Sequence, residues 1–396
     1  MGATNWRELG PRDAGGSPRP EITVPAGAWL EPLRAARRTG QSVLVLVNDS
    51  HRATPTRETL RQLVRQIEMP ACRVLVATGT HRFSADERAR FERATIDGVL
   101  PSSAGVGWHD ADSDELAPLA DARIHPWLLQ HDILLAIGSC EPHYFAGVTG
   151  AHKTLTIGVL SRADIEQNHA GALDPGSNVF ALTGNPVHAG ICVHLAALRG
   201  AGRTLLAVNH VVVGGSIIAT ACGTPEQSLA DLLPTVRDAF QQRIERPVDV
   251  LRLVVEPPLN RSLYQADKAL KNNHLAVRDG GAILLEAACP EGVGPDGFLG
   301  LLRDAPDYAT ACDVVRRRGY RLGDHKAVKL RHLTDPAARG VSVALVGSAV
   351  SCELAALAGL ATFDDAQTAL NWLAGRVSMR EGLRIADAGN VCVGAG

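Results

Sequence analysis

The chain carries no Cys-x-x-Cys pair: its eight cysteines, at 72, 140, 192, 222, 289, 312, 352 and 392, are scattered singly over 396 residues. That excludes a zinc ribbon or a thioredoxin-like redox pair and leaves most of them to be read as buried thiols in a reducing compartment. Aromatic residues make up only 4%, so the core has to be filled by Val, Leu, Ile and Ala, as in α/β proteins. No run of about 18 or more apolar residues could span a bilayer, and the opening MGATNWRELGPRDAGGSPRP lacks the apolar stretch of a signal peptide. The expectation is a cytoplasmic protein with no membrane partner. Forty basic against 42 acidic residues leave a net charge of −2, so no basic stripe points to nucleic acid. Repeats and low-complexity tracts are missing too. What remains is small-molecule chemistry, on a chain long enough for about two domains.

An unbroken apolar run from Val43 to Val47 reads as a strand buried on both faces, preceded by a helix from roughly Trp29 to Arg38. Asn48-Asp49-Ser50-His51-Arg52 follow at once, and Thr54 is placed to cap the next helix with Pro55 at its first position. The pattern repeats with a strand from Arg73 to Ala77, the turn Thr78-Gly79-Thr80-His81-Arg82 and a helix from about Ala85 to Ala94. A third strand, Asp132 to Ile137, gives way at Gly138 to a turn that presents His143. A loop spaced by Gly147, Gly150 and Gly158 then delivers Lys153, and a helix opened by Ser161 and Asp164 ends on His169. In an open α/β sheet, ligands bind outside the carboxyl ends of the strands, so Asp49, Arg52, His81 and His143 are expected around one cleft. Residues up to about Val24, rich in Gly, Pro and charge, read as an irregular surface arm. The strand pattern restarts near Pro247 with Val250 to Glu256, then Ala282 to Ala287 and Val341 to Val346. The expected architecture is two α/β domains with largely parallel sheets. Residues 1–247 would carry the catalytic and cofactor motifs, and residues 248–396 would close an interdomain active-site cleft.

Two strand-end histidines, His81 and His143, suit proton transfer near neutrality, because the unperturbed imidazole pKa is about 6.5. Two such bases serve a reaction that treats both faces of one carbon alike, although each can also be a turn residue bonded to backbone. His169 at a helix end is favoured by the macrodipole whatever its role. Lys153 is either a solvated lysine or, among small apolar neighbours, a nucleophilic amine. Asp49 and Arg52 can form a merely local ion pair. The glycine spacing fits neither a Walker loop nor a dinucleotide fingerprint. On residues alone, a zinc hydrolase using His81, His143 and His169, or a non-catalytic metal or cofactor carrier, stays open beside an enzyme that works on both faces of one carbon.

Taken together, Asp49-x-x-Arg52, Thr78-Gly-Thr-His81, Glu141-Pro-His143, Lys153, His169 and Tyr264-Gln265-x-x-Lys268 resemble the nickel-pincer-dependent lactate racemase family. The resemblance implies a two-domain α/β enzyme that racemises or epimerises the hydroxyl-bearing carbon of a 2-hydroxy acid or a related polyol or sugar acid. It implies a nickel-pincer nucleotide, a pyridinium-3,5-bisthiocarboxylic acid mononucleotide, covalently attached to Lys153, with His169 as nickel ligand and cofactor-assembly enzymes as partners. His81 and His143 would alternate as acid and base around a hydride passed to and from the cofactor. Arg52 and Lys268 would hold substrate carboxylate or cofactor charge, oriented by Asp49 and Gln265, while Thr80, Gly150 and Tyr264 would line the cofactor. Around the lysine the chain reads Thr149-Gly-Ala-His-Lys153, where many family members carry a Gly-Gly-x-Lys core, so a different loop shape is expected.

Overall fold

Continuous Val, Leu and Ile runs can be buried on both faces only if the strands lie parallel with helices on either side. The computed structural model, which describes residues 4–10, 23–100 and 105–395, is built that way. It divides into two compact units, residues 13–237 and residues 1–12 with 238–396. The division falls inside the helix Pro225–Phe240 rather than at 247/248, and the first residues go with the C-terminal unit.

In the N-terminal unit the sheet order is Ser216–Gly223, Thr204–Val213, Ile133–Ser139, Val43–Asn48, Cys72–Ala77 and Val106–Trp108. Every neighbouring pair is parallel except the outer hairpin of the first two strands. Asn48 stands opposite Ala77, and Gly138 opposite Asn209. The loops after Asn48, Ala77 and Ser139 therefore leave the same edge of the sheet, the edge at which α/β folds place their ligands. Val45, Val47, Leu135 and Ile137 join Leu60 and Leu63 of the helix Thr56–Gln66 in one core. The helix expected before the first strand is Glu31–Thr39.

The C-terminal unit holds a second, wholly parallel sheet, in the order Asn5–Leu9, Glu381–Ile385, Val248–Val254, Val277–Glu286, Ser342–Val346 and Leu360–Phe363. Part of the expected irregular arm is thus a strand. Asn5–Leu9 is mostly exposed and has no hydrophobic alternation to betray it. It is held by backbone pairing to Glu381–Ile385, by Trp6 lying over Gly382, and by an Arg384–Glu8 ion pair. Residues 11–22 of that arm lie outside the described residues. All eight cysteines are free thiols, but only Cys140, Cys289 and Cys392 are fully buried, fewer than expected, and Cys352 is exposed. No described helix is long and apolar enough to cross a membrane.

Candidate active site

The strand Ile133–Ser139 runs fully buried to its end, and the chain then folds back over it. Gly138 permits this, since a Cβ there would lie 2.4 Å from the amide nitrogen of Ala151. Lys153 accordingly sits not on an open loop but in a one-turn helix, Ala151–Thr154, laid on the strand end. Gly150 enters that turn at φ 153°, where a Cβ would meet Asn209 Oδ1, His152 Nδ1 and Cys140 Sγ within 3.2 Å. The Ala151 amide donates to Asn209 Oδ1 at 2.8 Å, and Asn209 Nδ2 donates to Ser228 Oγ at 2.8 Å.

A chain of polar side chains ties this turn to the neighbouring strand ends. Thr154 Oγ1 donates to Asn48 Oδ1 (2.8 Å), Asn48 Nδ2 donates to Thr54 Oγ1 (2.9 Å), and Thr54 meets Ser139 Oγ at 3.1 Å. Ser139 Oγ reaches Glu141 Oε1 at 3.4 Å, and Arg52 Nη1 donates to Glu141 Oε2 at 3.3 Å. Two expectations change as a result. Thr54 is committed to this chain and does not cap the next helix, which begins at Thr56 without a side-chain cap. Arg52 pairs with Glu141 across strand ends rather than with Asp49 beside it. A depression of about 300 Å³ opens next to Asp49 and Arg52.

Asp49 is almost fully buried and acts as a fixed acceptor. Its Oδ1 takes the backbone N–H of His51 at 2.9 Å, and its Oδ2 lies 2.8 Å from His81 Nδ1. A buried carboxylate facing Nδ1 assigns the proton to that nitrogen and leaves Nε2 of His81 with its lone pair, the form of a base. Thr80 is half-buried in the same turn, which is tied to the lysine segment by Gly79 N–H donating to the Gly158 carbonyl at 2.9 Å. His143 is set the other way. The Ala146 amide donates to its Nδ1 at 3.2 Å, so the ring proton belongs on Nε2, 3.2 Å from Lys153 Nζ. The Lys153 amine is thereby held against the His143 ring, within reach of a proton carrier.

His169, at the end of the helix Arg162–Ala170, is buried, and burial first, then the Lys153 charge, pushes its pKa down to about 3. It is therefore a neutral imidazole at physiological pH, as metal binding requires. Asn168 Nδ2 donates to the Val187 carbonyl at 3.0 Å, which turns Asn168 Oδ1 toward His169 Nδ1, 3.2 Å away. The acceptor fixes the proton on Nδ1 and puts the ring lone pair on Nε2, an arrangement also found in metal-binding histidines. Phe145 packs edge-on against both His143 and His169, with ring centroids 4.4 Å and 5.0 Å away, and lies 5.9 Å from Lys153 Nζ. The three-histidine zinc set is not assembled. Among the described residues, the group close enough to share a metal is Asp49, His51 and His81, while His143 faces Lys153.

In the C-terminal unit, Tyr264, Gln265 and Lys268 open the helix Leu263–Asn273, capped by Ser262. Lys268 is buried, and burial, then Asp267, pushes the half-buried Tyr264 hydroxyl up to about 12. Fully buried Asp267 pairs with Lys271 at 3.3 Å and with Lys326 at 3.9 Å, and Lys326 Nζ sits 4.1 Å from the centre of the Tyr264 ring. Nothing in the sequence spacing of Asp267 and Lys326 announces that they meet. The same holds for Asn48, Ser139, Asn168 and Asn209 in the N-terminal unit. Their only signal is a polar residue at a strand or helix end, which is common.

Residues 25–179 match the family model described as the lactate racemase N-terminal domain. The lactate racemase of Thermoanaerobacterium thermosaccharolyticum is 25% identical over 297 residues, 70% of this chain and 67% of that protein. The lactate racemase of Lactiplantibacillus plantarum is 24% identical over 293 residues, with the same shares covered. Among solved structures, the lactate racemase apoprotein from T. thermosaccharolyticum superimposes with a TM-score of 0.79 at 23% identity, over 89% of this chain and 86% of that one. A Thermotoga maritima protein superimposes with a TM-score of 0.68 at 15% identity, over 89% and 93%. Fold, motif order and these matches agree: residues 25–179 carry a lactate racemase N-terminal domain, and the chain is similar to lactate racemases over 70% of its length.

Proposed function

We propose that the chain is an isomerase, a racemase or epimerase acting at the hydroxyl-bearing carbon of a 2-hydroxy acid or a related polyol or sugar acid. The observation that carries this reading is the 3.2 Å contact between Lys153 Nζ and His143 Nε2, with neutral, buried His169 packed against the same Phe145 ring as His143. A reactive amine, a proton carrier and a metal ligand thus share one small region. That both relatives are lactate racemases supports the isomerase class.

These residues fit a nickel-pincer nucleotide. Lys153 offers the amine for a covalent link, and His169 offers an imidazole nitrogen of the kind Ni(II) accepts in square-planar sites. When bound, such a cofactor would supply reversible acceptance of a hydride from the substrate carbon. The chain's own residues do the rest. His81, with Asp49 holding its Nδ1 proton, takes the hydroxyl proton on Nε2, and His143 supplies a proton from its own Nε2; the two exchange roles for the opposite hand. Arg52, steadied by Glu141, would bind the carboxylate or cofactor charge, and Thr80 and Gly150 would line the cofactor; by motif, Lys268 with Gln265 is assigned to the same charge and Tyr264 to the cofactor. Cofactor-assembly enzymes are the expected partners.

The test is protein produced together with those assembly enzymes and examined by intact mass and nickel content. A covalent adduct on Lys153 with bound nickel is expected. Lys153→Arg should carry no adduct and show no turnover, because a guanidinium is not deprotonated near neutral pH. Full activity in Lys153→Arg, or an active protein holding zinc without an adduct, would overturn the reading.

A further inference from the structure

His51 takes no part in the function proposed above, yet it is drawn into the site. Its Nδ1 lies 3.2 Å from His81 Nδ1, the rings meet at 4.5 Å between centroids, and Phe83 stands 5.2 Å from His51 on one side. His81 Nδ1 is in turn 2.8 Å from Asp49 Oδ2, and the ligand atoms of the three residues all lie within 4.8 Å of one another. A tetrahedral site with bonds near 2.0–2.1 Å separates its ligand atoms by roughly 3.3 Å. The spacing here is close to that before any ion arrives. Asp49 is also prepared as a ligand, because its other oxygen already holds the His51 backbone amide at 2.9 Å, which fixes the carboxylate's orientation. Two imidazoles and one carboxylate suit borderline divalent ions such as Zn²⁺, Co²⁺ and Ni²⁺, with a fourth position left to water.

We propose that Asp49, His51 and His81 form a second, inhibitory divalent-metal site, distinct from the His169 ligand position. The proton balance explains the inhibition. In the free protein His81 keeps its proton on Nδ1 and its lone pair on Nε2. A metal on Nδ1 displaces that proton and the ring takes one on Nε2, so the base becomes a donor while its net charge is unchanged. His51 already has its Nδ1 lone pair available if its proton is on Nε2, so binding releases no proton when both rings begin neutral. The inhibition rests on His81 acting as a base, but the binding does not.

The binding test uses the full chain without cofactor, titrated with Co²⁺ under reducing conditions. One Co²⁺ should bind with the absorption of a tetrahedral nitrogen and oxygen site and without a thiolate charge-transfer band. His51→Ala should weaken that binding by at least about 100-fold, more than loss of an outer-sphere partner would. Wild-type protein that fails to bind, binding unchanged in His51→Ala, or a thiolate band would each overturn the site. Should the variant fold poorly, absence of Co²⁺ binding by the wild-type protein still overturns the site. In the cofactor-loaded enzyme, added Zn²⁺ should slow wild-type turnover and slow His51→Ala less. Tight binding that left wild-type turnover unaffected would overturn the inhibitory role and count against His81 as base, while the site itself would stand.

Discussion

Asp49→Asn probes the hold of the carboxylate on His81, because it exchanges one oxygen for an NH₂ group and keeps the side chain's shape. Asp49 spends one oxygen on the His51 amide at 2.9 Å and the other on His81 Nδ1 at 2.8 Å. An asparagine has one acceptor and one donor to place against those two partners. If its carbonyl stays on the His51 amide, its NH₂ faces His81 Nδ1, the ring proton moves to Nε2 and the base is lost. If the amide is reversed, its NH₂ opposes the His51 N–H in a buried spot, at a cost of about 1–3 kcal/mol. That cost alone corresponds to roughly a 5- to 150-fold smaller population of the active form. Loss of the carboxylate that stabilises a charged His81 adds to it, giving a total fall on the order of 10²–10⁴, the range of a positioned base. The assay is racemisation followed by circular dichroism from each pure hand, with lysine adduct and nickel matched to wild type. Both directions should fall together, since the equilibrium constant ties them. A loss below about threefold would mean that His81 does not depend on Asp49 for its tautomer, and the base assignment would fail.

Asn168→Ala should lower nickel affinity on the order of 10–100-fold while leaving the mass adduct on Lys153 in place, because it removes the acceptor at His169 Nδ1 and leaves the lysine itself unchanged; nickel content at matched adduct loading checks this. Thermal stability should fall as pH drops from about 6.5 toward 4. His210, fully buried between Thr59 at 2.8 Å and Thr220 at 2.9 Å, has its pKa pulled to about 4 by burial, so its neutral form is favoured on folding. Its contribution, on the order of 3 kcal/mol, is complete above the unfolded pKa and is lost as pH falls through that window. His109 and His125, also pulled to about 4 by burial, act in the same direction. A melting temperature that stayed constant from pH 7 to 4 would contradict this.

The inner strands and the turns that follow them were legible because burial on both faces leaves an uninterrupted apolar run, as from Val43 to Val47, and because the chemistry sits directly after it. Asn5–Leu9 was not legible, since an exposed edge strand needs only backbone partners and those come from Glu381–Ile385, at the other end of the chain. The tautomers of His81 and His143 were hidden for a related reason. Each is decided by a contact whose geometry spacing does not reveal, Asp49 thirty-two residues away for one and the Ala146 amide three residues on for the other. The lysine turn was misread as open loop because the glycines around it look permissive. At least one of them is there for close approach rather than flexibility.

That glycine, Gly138, sets where the lysine stands. Its absent Cβ would be 2.4 Å from the Ala151 nitrogen and 2.8 Å from the Gly150 carbonyl carbon, both backbone atoms that cannot swing aside. Ordinary contact begins near 3.4 Å, so Gly138→Ala has to push the Ala151–Thr154 turn off the strand by about 1 Å. Overpacking of this kind costs about 1–3 kcal/mol of stability. A 1 Å displacement of a reacting group can cost on the order of 10² in rate. The variant should therefore melt lower and turn over on the order of 100-fold more slowly, yet keep its lysine adduct, because the amine itself is untouched. Gly200→Ala is the control. That glycine ends the helix Pro186–Gly200 with nothing within 4 Å of the added methyl, and it should leave activity unchanged and stability equal or slightly higher. Gly138→Ala with wild-type melting and rate would show that the turn is free to move, and the strand end could not then be what positions Lys153.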